Sequence, residues 1–247
     1  MTAIIRYMFQ WLRSLIFTVQ MYLMMAVIGI GMLPLALWKQ KYVYLTVHTY
    51  CRWVMWTAGW MVGLKTEFRG KPPTEEALVA AKHQSFLDVL MIASQIPQPK
   101  YIMKSSLKHV PVLGWFGKLT GSVPVERGKR AEAIKQMMDG VKSGKVPGGQ
   151  LVIYPQGTRV APGDHKPYKV GSAVLYTELG QRCYPVACNV GVFWPRYGIL
   201  KKPGTAVIEF LDPIEPGLEK NAFMSHLEDV VETRSKELMR DAGFKFD

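Results

Sequence analysis

The first 64 residues are the most apolar part of the chain and contain no acidic residue. Between Arg13 and Lys39 lie 25 uncharged residues, which as a straight helix would extend about 37 Å. That length exceeds the hydrocarbon layer of a bilayer, which is about 30 Å thick. Gly29, Gly31 and Pro34 are expected to weaken or kink such a helix in its last third. This segment therefore predicts a membrane-associated helical element.

A second apolar stretch, residues 42–64, follows almost at once. It carries His48 and Arg52 near its middle, and ionisable groups are costly at the centre of a bilayer. If both stretches crossed, Lys39 and Lys41 would face the side opposite the other basic flanks, against the positive-inside tendency. We therefore predict a helical hairpin embedded in the inner membrane from its cytoplasmic face. A single spanning helix is the alternative. A cleaved signal peptide is not expected, because the apolar run is too long.

The net charge of the chain indicates which kinds of partner it binds. The chain has 31 Lys and Arg against 19 Asp and Glu, a net charge of +12, which favours nucleic acid, lipid or a phosphorylated metabolite. A nucleic-acid interface predicts basic clusters interleaved with aromatic residues. Here the aromatic residues are densest in the apolar N-terminus instead, with 12 of the 28 in residues 1–64, so we expect membrane lipids and no nucleic acid as partners.

From Lys65 onward, short apolar runs alternate with helical stretches, and this alternation predicts an α/β fold. We expect a mixed sheet flanked by helices, forming one domain over residues 65–247 after the hairpin of residues 1–64. The predicted strands are residues 65–69, 77–82, 100–104, 123–126, 150–154, 183–189 and 206–211. The predicted helices are residues 86–96, 130–142, 171–179 and 220–240.

The three cysteines, Cys51, Cys183 and Cys188, form no CxxC pair and give no metal-ligand spacing. We interpret them as ordinary buried thiols.

A histidine and a carboxylate follow the second predicted strand. Asp88 lies five residues after His83, just inside the predicted helix. If the carboxylate accepts one imidazole N–H, the other nitrogen is free to take a proton, so the pair suits a general base whose nucleophile is the substrate. The spacing from Ser85 to Asp88 also fits a capping box, in which Asp88 only caps the helix. Spacing alone leaves both interpretations open.

Two arginines lie on further loops at strand ends. Arg127 follows the fourth predicted strand and Arg159 the fifth. A planar guanidinium suits bidentate capture of a phosphate group, and Gly157 lets the backbone approach a ligand closely. Because ligand sites of α/β sheets gather at the carboxyl ends of the strands, we expect both arginines near His83.

Four blocks in this order resemble those of the glycerolipid acyltransferases, most of all the 1-acyl-sn-glycerol-3-phosphate acyltransferases. The blocks are Lys82-His83-x4-Asp88, Gly121-x-x-Pro124-Val125-Glu126-Arg127, Tyr154-Pro155-Gln156-Gly157-Thr158-Arg159 and Tyr184-Pro185-Val186. The resemblance runs from about residue 67 to about residue 213 and includes Lys104-x-x-Leu107.

The resemblance implies a membrane enzyme that transfers an acyl group. His83, held by Asp88, would take the proton of the free sn-2 hydroxyl of 1-acyl-glycerol-3-phosphate as that oxygen attacks an acyl thioester, giving phosphatidic acid. Arg127 and Arg159 would hold the phosphate. The residues that would support the loops are Gln156, Gly157, Thr158 and Lys104.

The resemblance also implies the co-substrates. The acyl donor would be acyl-CoA or acyl-carrier protein, with no metal or other cofactor. The acceptor would be a lysophospholipid, with another lysolipid such as a lyso-ornithine lipid as the alternative. The alternative to an enzyme is a basic protein without catalytic activity that binds membranes or nucleic acid.

The chain departs from the family pattern at several positions. Lys82 stands where the first block usually begins with Asn, and Gln156 where the third block usually has Glu. Pro124-Val125 replaces the usual Phe-Ile, and Tyr154 replaces the usual Phe. An amide at position 156 lacks the negative charge of the usual residue, although it can still fix the loop by hydrogen bonds. Lys82 could attract phosphate or could point away from His83 on the other face of its strand.

Overall fold

The computed structural model describes residues 2–125, the isolated positions 132, 135 and 139, and residues 148–246. A seven-stranded sheet lies at the centre of the described part. Its strands are β1 (Leu64–Arg69), β2 (Ala77–Ala81), β3 (Pro99–Lys104), β4 (Val123–Val125), β5 (Gln150–Ile153), β6 (Cys183–Cys188) and β7 (Gly204–Phe210). Each predicted strand corresponds to one of these, and no strand end differs from its prediction by more than two residues.

The strand order is β1-β7-β6-β2-β5-β3-β4. Every neighbouring pair is parallel except β6 and β7, which are antiparallel. The predicted mixed sheet is therefore confirmed. Because β6, β2, β5, β3 and β4 run in one direction, their carboxyl ends lie along one edge of the sheet.

The helices pack on both faces of the sheet. They are α1 (Thr2–Trp38), α2 (Gln40–Val62), α3 (Leu87–Gln95), α4 (Leu113–Leu119), α5 (Gly171–Leu179) and α6 (Lys220–Asp241). The short helix α4 has no counterpart in the sequence prediction. The predicted helix over residues 130–142 lies outside the described residues, apart from the three isolated positions.

Helices α1 and α2 form a hairpin that turns at Lys39, whose extended backbone separates them. Helix α1 is continuous through Gly29, Gly31 and Pro34 as far as Trp38. Gly29 is needed for packing, because a Cβ atom there would clash with the side chain of Val112. The glycine expected to weaken the helix thus permits a close approach to the α/β domain.

Residues of β2 alternate between two apolar cores, because successive side chains of a strand point to opposite faces. Ala77, Val79 and Ala81 belong to the core that includes α1, α2 and α3. Leu78 and Ala80 belong to the core that includes α5 and α6. Both faces of the strand are buried, as expected for the centre of a mostly parallel sheet.

Helix α1 leaves a long apolar surface uncovered. Its segment Ala3–Trp38 is long and apolar enough to cross a membrane by length and composition, and little of it is buried. Only one side of the helix, including Phe17 and Met21, joins the core of the α/β domain. Large apolar residues on the other side are exposed, among them Ile16, Val19 and Leu23. Exposed apolar area of this extent is typical of a membrane or protein interface.

We expect the protein to remain in the membrane fraction through high-salt and alkaline washes and to leave it only with detergent, because salt screens headgroup contacts but not apolar burial. The combined variant Ile16→Asp, Val19→Asp and Leu23→Asp alters side chains that are at least half exposed and should release a folded protein. Leu218→Asp, at an exposed apolar residue remote from α1 in sequence, is the control. Release of the unaltered protein by salt alone would contradict attachment through α1.

Candidate functional site

The loops that follow β2 and β5 meet at the shared carboxyl edge of the sheet. His83 follows β2, and residues 154–159 follow β5. The main-chain N–H of Val160 donates to the carbonyl oxygen of His83 over 2.8 Å. The first and third sequence blocks are therefore neighbours.

Asp88 is buried at the start of α3 and uses both carboxylate oxygens. Its Oδ1 lies 2.8 Å from Nδ1 of His83. Its Oδ2 accepts hydrogen bonds from the main-chain N–H groups of Gln84, at 2.8 Å, and Ser85, at 2.7 Å. Because an ionised carboxylate can only accept, the first contact puts the imidazole proton on Nδ1. The carboxylate thus fixes both the tautomer and the orientation of His83.

The contacts of Asp88 are compatible with both interpretations of its spacing from His83, and its catalytic role stays a prediction. One oxygen of Asp88 orients the imidazole, and the other satisfies N–H groups just before α3, as a capping carboxylate does. The hydroxyl of Ser85 accepts from the N–H of Leu87 at 3.2 Å. A single carboxylate therefore ties the beginning of the helix to the candidate base.

The imidazole of His83 is held from one face by Tyr154. The two rings stack with centroids 3.9 Å apart and planes 20° apart, and Tyr101 stacks on Tyr154 at 6.4 Å. Burial, together with the charge of Asp88, raises the pKa of Tyr154 well above its usual range, so its hydroxyl stays protonated. The stack restricts the tilt of the imidazole, while the carboxylate restricts its rotation.

The second nitrogen of His83, Nε2, makes no hydrogen bond within residues 2–125 and 148–246. The side chain is 17% exposed, so a substrate atom can reach it from the edge of the sheet. Across the same described ranges, no Ser, Thr or Cys side chain bonds to this imidazole. The pair thus has two members of a hydrolase triad, with the place of the nucleophile open to a substrate.

The third block forms a tight turn. Gly157 has a φ of +68°, which favours glycine, and its N–H donates to the carbonyl of Tyr154. The side chain of Lys169 passes close to the position that a Cβ of residue 157 would occupy, with its Nζ 2.8 Å away. The N–H of Lys169 donates to the carbonyl of Pro155 at 3.0 Å, which closes the loop. The absence of a side chain at Gly157 therefore makes room for a basic residue at the edge of the site.

Arg159 pairs with an arginine that the sequence analysis did not single out. Arg159 Nη1 donates to the carbonyl of Arg196 at 3.2 Å, and Arg196 Nη1 donates to the carbonyl of Arg159 at 2.9 Å. Within the described part of the chain neither guanidinium has a carboxylate partner. Arg127, the other predicted phosphate ligand, lies outside the described residues.

Lys104 and Thr158, two predicted support residues, make no side-chain hydrogen bond to the described residues. Lys104 ends β3 with an exposed side chain, and Thr158 is half-buried. Their contribution to the site stays a prediction.

Lys82 points away from His83, to the face of the sheet covered by α6. Its Nζ lies 2.7 Å from both carboxylate oxygens of Glu232, in a buried ion pair. Gln156 Nε2 donates to Glu232 at 3.3 Å and to the carbonyl of Lys166 at 3.2 Å. The phosphate-attracting alternative for Lys82 is therefore wrong, and the amide of Gln156 donates hydrogen bonds that a carboxylate could not.

Glu232 and Arg196 could not be found from local sequence signals. Glu232 lies 150 positions from Lys82 in sequence, and Arg196 is 37 positions from Arg159. Neither belongs to a block or a regular spacing. Only the folded chain brings them to the loops after β2 and β5.

Within the residues that the structure describes, the cysteines and the side chains able to bind a metal do not form a second site. Cys51, Cys183 and Cys188 are free and buried, as predicted. Burial raises the pKa of Cys188 well above its usual range, which keeps its thiol protonated. Over the residues that the structure describes, no cluster of His, Cys, Asp or Glu side chains could hold a metal ion.

An α/β sheet with an oriented imidazole at its carboxyl edge, on a loop joined to that of Arg159, is an arrangement suited to general-base chemistry. A family model described as Acyltransferase matches residues 65–189. The chain belongs to this family and is thus an acyltransferase.

Curated relatives carry more specific names. A Pseudomonas aeruginosa protein named 1-acyl-sn-glycerol-3-phosphate acyltransferase is 27% identical over 174 residues, covering 70% of this chain and 67% of its own. A Saccharomyces cerevisiae protein of the same name is 31% identical over 161 residues, covering 62% of this chain and 53% of its own. The chain therefore spans about half the length of the yeast relative.

A solved structure has the same fold. The 1-acyl-sn-glycerophosphate (LPA) acyltransferase PlsC from Thermotoga maritima superposes with a TM-score of 0.79 at 20% sequence identity. The match covers 93% of this chain and 97% of the Thermotoga chain. The architecture described above is thus one already seen in a crystal structure.

The stacking of Tyr154 on His83 predicts different outcomes for two substitutions. Tyr154→Phe keeps the ring and should change the free energy of unfolding by less than about 1 kcal/mol, since the hydroxyl has no hydrogen-bond partner within the described residues. Tyr154→Ala removes the stacked ring and should cost about 3 kcal/mol. Unfolding of detergent-solubilised protein measures both values. Equal losses in the two variants would show that the hydroxyl, and not the ring, holds this position.

Proposed function

We propose that the protein transfers a fatty acyl group from an acyl thioester to the free sn-2 hydroxyl of 1-acyl-glycerol-3-phosphate, giving phosphatidic acid. The observation that carries this proposal is the contact between His83 and Asp88, which leaves Nε2 without a partner among the described residues. The names of the Pseudomonas and yeast relatives agree with it.

His83 acts as the general base of this reaction. Nε2 takes the proton of the acceptor hydroxyl as that oxygen attacks the thioester carbonyl, while Asp88 stabilises the imidazolium that forms. The carbon–sulfur bond breaks, and the proton passes from His83 to the departing thiolate. An ester and a free thiol result, and the base is regenerated. A thioester is already activated, so positioning the hydroxyl and removing its proton supply much of the rate.

Arg159 binds the phosphate of the acceptor, together with Arg127 of the second block. The main-chain bond from Val160 to His83 supports this assignment, because it keeps Arg159 next to the loop of the base. The absence of a carboxylate partner within the described residues leaves the guanidinium available to an anion. The proposed partners are thus a lysophospholipid and an acyl donor, acyl-CoA or acyl-carrier protein.

The membrane supplies the lysophospholipid acceptor. We place the hairpin of α1 and α2 in the inner membrane with the catalytic domain on the cytoplasmic face. The apolar exposed side of α1 supports attachment. The acid-free, basic character of residues 1–64 supports the cytoplasmic side.

His83→Ala should lower kcat on the order of 10²-fold or more, because it removes the base. Asp88→Asn should cause a comparable loss, since an amide cannot accept from Nδ1 and from two main-chain N–H groups together. The assay is acyl transfer from a labelled acyl-CoA by detergent-purified protein.

Matched controls separate chemistry from folding in this experiment. His165→Gln changes an exposed histidine paired with Glu228 and should leave the rate unchanged. Ser85→Ala removes the acceptor of the Leu87 N–H and should cost about 1 kcal/mol of stability with near-normal turnover. A His83→Ala protein that transfers acyl groups at the unaltered rate would place the function elsewhere.

Arg159→Lys keeps the charge but loses the planar fork, so it should lower kcat/KM for the phosphorylated acceptor about tenfold. The value for a neutral acceptor, 1-acylglycerol, should change little, and so should KM for the donor. Arg182→Lys is the matched control, because Arg182 is an exposed arginine paired with Glu215. An unchanged preference for the phosphorylated acceptor would remove Arg159 from the phosphate site, and a preference for a lyso-ornithine lipid would replace the proposed acceptor.

A further inference from the structure

Glu232 is a buried carboxylate shared by three parts of the site. Lys82 Nζ lies 2.7 Å from each of its oxygens, the Tyr168 hydroxyl donates at 3.1 Å, and Gln156 Nε2 donates at 3.3 Å. These four residues are each less than 10% exposed. All of them lie on the face of the sheet opposite His83.

The three donors belong to segments whose relative positions matter for the proposed reaction. Lys82 immediately precedes His83, and Gln156 lies in the turn that precedes Arg159. Tyr168 lies at the far end of the loop that begins with that turn. Helix α6 therefore connects, through one carboxylate, the loop of the base and the loop of the proposed phosphate ligand.

A buried ion pair of this kind is poorly explained by stability alone. Removing two charges from water costs several kcal/mol per ion, and a well-packed apolar pair in its place is often equally stable or more so. A positioning role accounts for the pair, because a charged acceptor fixes several donors with more directional constraint than apolar packing does.

We propose that Glu232 is a positioning residue for acyl transfer. Through Lys82, Gln156 and Tyr168 it holds His83 and the loop of the third block in a fixed position relative to each other. The inference rests on the proposed function, because acyl transfer is its readout. It adds helix α6, which lies beyond residues 65–189 of the family match, to the apparatus that sets the geometry of the site.

The first test replaces the ion pair with an apolar pair, Lys82→Met with Glu232→Leu. The protein should still fold, but at a lower unfolding temperature, because the buried donors Gln156 and Tyr168 are left without an acceptor even where the ion pair itself is replaced without loss. Its kcat should fall at least about tenfold, because Gln156 and Tyr168 lose their acceptor and small misplacements of reacting groups cost large factors in rate. KM for the acyl donor should stay the same. Glu228→Gln, four positions earlier on α6, is the control and should not change the rate.

The second test moves the carboxylate instead of removing it. Gln156→Glu places a second carboxylate against Glu232. Glu232→Gln leaves the Lys82 cation without its partner. Each single variant should therefore lose most transfer activity. The double variant Gln156→Glu with Glu232→Gln restores one carboxylate and one amide beside Lys82. It should exceed Gln156→Glu alone in kcat by about tenfold.

The outcomes separate this inference from the proposed function. A folded Lys82→Met, Glu232→Leu protein with unaltered kcat overturns the positioning role. If that variant does not fold, a Gln156→Glu, Glu232→Gln protein no better than Gln156→Glu alone overturns it. Failure of the proposed function has a different signature, since the unaltered protein would then give no phosphatidic acid, or His83→Ala would retain the rate.

Discussion

The buried carboxylate of Asp88 is the interaction on which the candidate site depends. It satisfies two main-chain N–H groups before α3 with one oxygen and orients His83 with the other. Either requirement alone would justify a buried acid, which is otherwise costly. Because both are met by the same group, the packing of α3 on the sheet and the direction of the imidazole are not independent. A shift of α3 would therefore rotate the imidazole of His83.

The alternation of side chains in β2 continues past its end and separates two basic residues that are adjacent in sequence. The side chain of Lys82 enters the face covered by α6, and that of His83 the face covered by α3. A lysine beside the imidazole on the same face would disfavour the imidazolium that forms during the proposed reaction. The sheet keeps the cation away and pairs it with Glu232. The proposed base thus lies on one face of the sheet, and the ion pair that supports the loops lies on the other.

The sequence predicted the sheet and the local part of the site well, because these depend on short-range pattern. Strand ends were placed within two residues, and His83 and Asp88 are close since five residues suffice to span a strand end and a first helical turn. Glu232 and Arg196 were missed because their partners are distant in the chain. Helix α4 was missed because seven residues are too few for a clear helical period. Gly29 shows that a residue unfavourable for a helix can be required by what packs against it.

The state of the His83 imidazole is the most direct test of this account. Nitrogen NMR of the detergent-solubilised protein with labelled histidine, assigned by comparison with His83→Gln, distinguishes the two neutral tautomers. For the neutral imidazole we expect the proton on Nδ1, facing Asp88, and an Nε2 without a proton whose signal broadens or shifts when the lysolipid acceptor is added. A proton on Nε2 in the free protein, or no response of this nitrogen to the acceptor, would contradict the assignment of His83 as the base.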